Sequence, residues 1–409
     1  MSEAAPAATP AAGVAVRPVV WAAYAMAFTV GWSIVLVPSL VRDIEAAFGQ
    51  DDPAMGLAYL VFNAAWIAGT VSTGVLATRV PRRALMGGGP ALIAAGLAVM
   101  AFGPTWMAFV AGFLVYGLGL GIVDSGMNAI VMDVFPGRAA GPLNRLHLWV
   151  AIGALIGPLT VGRFASAGVP WQAVVALSAA GAAVVSLTVA TRRLPPVPRA
   201  ERGGPAGAHA GRRGRVPLPV IVLAVAVASD VATEVGITSW LVRYLDAAPV
   251  ELATLALAMF WGGIAVGRGV TSFLTRRIGA VTLAWVSSAT LGVAVIASVA
   301  APSVGIAIAC FALAGIAAGP VYPLIMAIAG SRYPDRTSMV SSTLASAGVV
   351  GALVYPPLMG QISGTAGLGA AMLGAALFAF AAAIFAWLGA RLGRIGRGVT
   401  PARATASQG

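Results

Sequence analysis

Apolar runs long enough to cross a bilayer recur along almost the whole chain, separated by short polar segments. In lipid the backbone must satisfy its own hydrogen bonds, so each run of about 20 residues has one cheap solution, a spanning helix. The runs lie near 18–40, 54–77, 84–103, 105–132, 147–167, 170–190, 217–241, 253–275, 279–300, 303–329, 339–362 and 367–390. The pattern predicts an all-α membrane protein with twelve transmembrane helices. Composition excludes the soluble alternative: 59% of the 409 residues are hydrophobic and 9% are charged, against about 25% charged in soluble domains. The first 17 residues carry Glu3 before any Arg, unlike the basic start of a signal peptide, so the first run reads as a retained span.

The net charge of +12 invites a nucleic-acid reading, but its distribution speaks for topology. With the N-terminus in the cytoplasm, 21 of the 25 Arg fall in cytoplasmic segments, and Arg42, Arg163 and Arg243 fall outside. Arg268 lies within a span. The positive-inside rule then predicts a multi-pass protein of the inner or plasma membrane with both termini cytoplasmic. The basic faces meet the anionic leaflet, and no nucleic-acid partner is expected. Cys310 is the only cysteine, and His147 and His209 are the only histidines. That leaves almost no material for a metal or His-based catalytic site. No nucleotide loop or nucleophile–His constellation appears, so no enzyme, cofactor or metal is expected.

The chain repeats itself at an offset of 198 residues. Phe62, Gly69, Leu76 and Arg79 match Phe260, Gly267, Leu274 and Arg277. Phe113, Gly117 and Gly121 match Phe311, Gly315 and Gly319, and Gly153 and Pro158 match Gly351 and Pro356. Biased composition scatters Gly and Leu matches, but it does not hold one offset through loops. The expected organisation is a cytoplasmic tail (1–17), a six-helix half (18–190), a Pro/Gly/Arg-rich linker (191–216), a second six-helix half (217–390) and a second tail (391–409), the halves being pseudo-symmetric.

The loop "GVLATRVPRR" (74–83) resembles the signature between the second and third spans of the major facilitator superfamily. Thr78 stands where that signature has an acid, and Pro81 where it has Gly. "GRGVTSFLTRRIG" (267–279) is a similar loop in the second half. "GLGIVDSGMNA", "LNRLHLWVAIGALIGP", "TEVGITSWLVRYL", "FWGGIAVGR" and "GPVYP" resemble, more narrowly, the fucose–galactose–proton symporter branch. The resemblance implies the major facilitator fold and a small-molecule solute carried by alternating access with protons. One departure stands out: fucose permease has an acid in its first span, whereas residues 18–40 have none.

Polar residues inside spans are the site candidates, because charge at bilayer depth costs at least ~2.5–3.5 kcal/mol. Gly117, Gly121, Asp124 and Asn128 share one helix face, so the acid should face the protein interior. Asp124 has no counterpart in the second half, where Tyr322 stands. Asp230 and Glu234 lie four apart on the seventh span. These three acids are the candidates for proton coupling or substrate binding, against a structural helix-to-helix hydrogen bond. Asn63, Trp66, Asn128, Trp240, Trp261 and Tyr322 are candidates for a solute cavity, since aromatic faces stack on sugar rings and amides bridge hydroxyls. Arg268 reads either as an anchor for an acidic solute or as a structural ion pair. Arg79, Arg82, Arg83, Arg276 and Arg277 in the loops read as structural or gating, with Asp133 pairing to one of them. Gly153, Gly157 and Pro158 partly resemble the fifth-span signature of antiporters. Pro158, Pro320, Pro323, Pro356 and Pro357 are expected to bend or break their helices. The leading expectation is a monomeric, proton-coupled secondary transporter of a small polar solute such as a sugar. The alternative is a proton-driven exporter of drugs or metabolites.

Overall fold

A computed structural model describes residues 16–77, 79–135, 138–192, 194 and 215–395. Most of both tails and of the 191–216 linker, including His209, lies outside the described residues, as does Thr78 of the loop signature. The described elements are all helical: α1 (Val16–Phe48), α2 (Asp52–Leu76), α3 (Arg82–Phe102), α4 (Trp106–Val134), α5 (Ala140–Ser166), α6 (Trp171–Ala190), α7 (Leu218–Tyr244), α8 (Val250–Leu274), α9 (Ala280–Val299), α10 (Val304–Ala318), α11 (Val321–Arg332) and α12 (Thr337–Ile395). Eleven segments among the described residues are long and apolar enough to cross a membrane, Val304–Arg332 counting as one. Several starts are fixed by caps. The Asp51 carboxylate accepts the Ala54 N–H at 2.9 Å, and the Thr105 hydroxyl accepts that of Ala108 at 3.2 Å, each satisfying a donor that a helix N-terminus leaves open.

Three boundaries differ from the sequence pattern, each for a physical reason. Helix α1 runs to Phe48, well past residue 40, because Val41 and Ile44 keep an apolar stripe against the bundle after polar residues begin. It thereby carries Arg42, Asp43 and Glu45 as helical residues. The tenth expected span is split into α10 and α11 at Gly319–Pro320, as its prolines predicted. The eleventh is not broken at Pro356–Pro357, nor is α5 at Pro158. The Pro356 carbonyl accepts the Trp240 indole N–H at 2.9 Å, so a neighbouring helix supports the backbone there. The interruption in α12 comes instead at Gly367, whose φ of 81° suits glycine alone.

The packing repeats itself. A Cβ on Gly117 would strike the Phe62 carbonyl, and one on Gly315 would strike the Phe260 carbonyl. Gly121 abuts the Trp66 carbonyl, and Gly319 that of Ile264. Each second contact is the first moved on by the sequence offset. These approaches press α4 onto α2 and α10 onto α8. Gly121→Val should therefore fold poorly, since its neighbours are backbone atoms that cannot yield. A loss of about 1–3 kcal/mol is expected, read as a lower unfolding temperature in detergent. Gly74→Val, with nothing near its would-be Cβ, is the neutral control.

Candidate functional site

A cavity of about 520 Å³ lies between α1, α2 and α4 on one side and α7, α8 and α12 on the other. Exposure of its lining changes along α2. Tyr59, Phe62 and Asn63 are buried, whereas Thr70 and Val71 are exposed. On α7 and α12 the same order holds: Thr238 and Ser239 are buried, Ser346 and Val349 exposed. The cavity thus closes toward the α1–α2 turn and opens toward the α2–α3 turn.

Five of the residues singled out in the sequence line it: Asn63, Trp66, Asp124, Glu234 and Trp261. The glycine contacts of α4 seat Asp124 beside α2, where the Trp66 indole lies next to its carboxylate. Glu234 faces the cavity from α7. The walls are mainly aliphatic and aromatic, with Ile34, Val37, Phe62, Ile67, Phe113 and Val235 among them. Several polar groups are already engaged. The Thr238 hydroxyl donates to the Glu234 carbonyl at 2.8 Å, and the Tyr59 hydroxyl to the Ser239 carbonyl at 3.1 Å. The Trp261 indole N–H is buried with no hydrogen-bond partner, leaving it available to a solute.

Four others are placed elsewhere. Trp240 is fully buried, donates to Pro356 and stands edge-on to Tyr59 at 5.6 Å, so it is packing and not cavity wall. Asn128 turns its amide onto the Asp124 backbone carbonyl at 2.8 Å. Tyr322 packs against the apolar cluster around Val340 and Leu344. Asp230 is 1% exposed, and its Oδ1 has no hydrogen-bond partner. The face drawn from helical spacing was sound for Asp124, but side-chain length and neighbouring carbonyls decided the rest.

Arg268 donates from Nε to the Gly319 carbonyl at 3.3 Å, and Thr70 donates to the Gly121 carbonyl at 3.3 Å. This is one contact made twice, with a guanidinium replacing a hydroxyl. Asp230, Glu234 and His147 all lie within its electrostatic reach. Arg82 pairs with Asp133 at 2.5 Å, tying α3 to α4. Arg79, Arg83, Arg276 and Arg277 are exposed. Gly153 meets the Phe28 carbonyl and Gly157 meets Val35, so with Pro158 they form the α5 face packed on α1.

The closed end was not foreseen as a site. Arg243 on α7 pairs with Glu45 on α1 at 2.7 Å, with Asp52 on α2 at 2.9 Å and with Asp246 at 3.0 Å. Arg42 pairs with Asp246 at 3.3 Å and donates to the carbonyls of Val242, Leu245 and Ala248. Ser363 on α12 donates to Asp52. Beneath this lattice, Tyr59 closes the cavity, with Trp240 packed edge-on behind it. The sequence did hold a signal. Arg42 and Arg243 are exceptions to the positive-inside count, and Glu45 and Arg243 stand 198 residues apart. Equivalent positions of the repeat carry opposite charges and meet.

A helical bundle with a central cavity open at one end and tied shut at the other has the shape that alternating access requires of a solute transporter. The Major Facilitator Superfamily profile matches residues 20–246, more than half of the chain, and the chain belongs to that family. It is 22% identical over 136 residues to the sodium-dependent glucose transporter 1A of Mus musculus, a match spanning 33% of this chain and 32% of that protein. The fold is similar to that of a bacterial homologue of the human lysosomal transporter Spinster in an inward-facing, occupied conformation, with a TM-score of 0.78 and 16% identity over 91% of this chain and 96% of that one. It is also similar to the major facilitator transporter FucP in the outward conformation, with a TM-score of 0.62 and 18% identity over 90% and 98% of the two chains.

Proposed function

We propose that this protein is a secondary active transporter that moves a small solute across the inner or plasma membrane by alternating access, with protons as the coupling ion. It acts as a monomer and not as an enzyme. The observation that carries the reading is one cavity, held between two sets of helices, with a carboxylate from each set facing it: Asp124 from α4 and Glu234 from α7. Twelve spans follow if α12 is two helices meeting at Gly367. The recurring glycine contacts support two pseudo-symmetric halves, 18–190 and 217–390, that rock against each other. With the N-terminus cytoplasmic, the α1–α2 end is the outer face, and the conformation is inward-open. Sugars are the first solute class to test, supported by the partial relation to a glucose transporter. The test is uptake by proteoliposomes across a sugar and metabolite panel, under an imposed pH gradient and, separately, a sodium gradient. Uptake driven by pH alone supports the reading, and uptake driven only by sodium overturns the coupling ion.

A second reading has its own observation. The cavity walls are apolar, and hydroxyls such as Thr238 and Tyr59 are engaged by backbone carbonyls. This favours an amphiphilic solute and so the export of drugs or metabolites by proton exchange. Greater drug sensitivity in a strain lacking the protein, without loss of growth on sugars, would select this alternative.

A further inference from the structure

The closed end holds a chemical imbalance that the ion pairs do not resolve. Arg243 has a single Nε–H, and it is donated to Glu45 Oε2 at 2.7 Å. Asp52 Oδ1 lies 2.9 Å from the same nitrogen but receives no hydrogen. Glu45 Oε1 is likewise buried without a hydrogen-bond partner, and the Glu45 side chain is only 7% exposed. The two carboxyl groups converge on one atom, with an oxygen of Glu45 2.7 Å and an oxygen of Asp52 2.9 Å from the Arg243 Nε. Two acceptor oxygens left empty in one buried place are rare in native proteins and ask for a donor.

We propose that Glu45 and Asp52 form a proton-binding dyad, holding one shared proton when the α1–α2 end is closed. A proton carried on one orphan oxygen and donated to the other would satisfy both, the first as donor and the second as acceptor. Two carboxylates this close cannot both stay ionised at small cost. The charge account agrees. Arg42 and Arg243 face Asp246, Glu45 and Asp52, and one proton on the dyad brings these five groups to neutrality. The two nearby hydroxyls are already committed. Ser363 already donates to the other oxygen of Asp52, and the Tyr59 hydroxyl is engaged by the Ser239 carbonyl. Asp43 on α1 is exposed and faces Arg42, and Asp51 caps α2. The inference is independent of which solute is carried and of the cavity acids, which lie on α4 and α7.

Closure of this end should then take up a proton. The ratio of closed to open forms should fall by up to about tenfold per pH unit above the point where the dyad loses its proton. Spin labels placed by Ala47→Cys and Ala247→Cys, in a Cys310→Ser background, report the separation of α1 and the α7–α8 turn at this end. The measurement runs in lipid nanodiscs between about pH 5 and about pH 9, which brackets carboxyl groups that share a proton. The unmodified gate should shift toward the longer distance as pH rises, and Glu45→Gln, which carries its own N–H donor, should hold the short distance throughout. Difference infrared spectra should show protonated carboxyl absorption at low pH, one component of which disappears in Glu45→Gln and in Asp52→Asn while that of the cavity acids stays. A gate whose distance does not change with pH, a Glu45→Gln protein that opens with pH as the parent does, or carboxyl absorption that neither substitution diminishes would each overturn the proposal. Failure of solute transport in every assay would leave these readouts intact, so the two readings fail separately.

Discussion

Arg243→Met should spring the closed end open. The substitution keeps a long apolar stem but leaves Glu45 and Asp52 buried without their cation. Breaking a buried pair by removing one partner costs about 3–5 kcal/mol, because the remaining charge stays out of water. In the open state both carboxylates regain hydration, so the penalty falls almost wholly on the closed state. That range corresponds to a shift of roughly two to four orders of magnitude in the conformational ratio. The low end is expected, since the Arg243 side chain is itself 28% exposed. Asp246, at 56% exposure, adds little, as exposed pairs contribute less than about 1 kcal/mol. The check is a thiol reagent applied from the side that bears this end, against a cysteine placed at Ser239 behind the gate. Labelling should be slow in the parent and fast in Arg243→Met, while Arg163→Met should leave it unchanged. The Arg163 side chain pairs with Glu251 at 3.4 Å and is 80% exposed.

The class of fold was legible because lipid removes most alternatives. Once the backbone must bond to itself, an apolar run of twenty residues has little choice but a helix. The repeat was legible for a similar reason: Gly121 and Gly319 cannot change without collision, so they still match after much else has diverged. The gate was not legible, because it depends on where α1 ends. A span ended at residue 40 has no acid, whereas the helix that continues to Phe48 brings Glu45 against Arg243. Hydropathy falls off before the helix does, since a helix end needs only a stripe of apolar residues to stay packed. Trp240 lies outside the cavity lining, because spacing gives the face of a helix but not the partner that fills it. Here the Pro356 carbonyl captures the indole. Asp124 lines the cavity because small residues one and two turns before it force α4 close to α2, which fixes the face as well as the neighbour.

Asp124→Asn should uncouple the protein without emptying its cavity. The amide keeps the volume and one acceptor beside the Trp66 indole, but it cannot take up and release a proton. A transporter moving one proton with each solute can accumulate the solute by about tenfold per pH unit of gradient, since each unit is worth 1.36 kcal/mol. The Asn variant should bring the solute only to equal concentrations on both sides, whatever the gradient, yet still exchange labelled for unlabelled solute. Glu234→Gln separates two roles. If Glu234 holds the solute and not the proton, exchange and accumulation should fall together. If it is the partner that passes the proton on, accumulation should fall while exchange persists, as with Asp124→Asn. Glu45→Gln, which holds the α1–α2 end closed, should slow exchange and accumulation together, unlike Asp124→Asn. Accumulation that survives Asp124→Asn would remove that residue from the coupling step and leave Glu234, with Asp230 buried beside it, as the place where the proton rides.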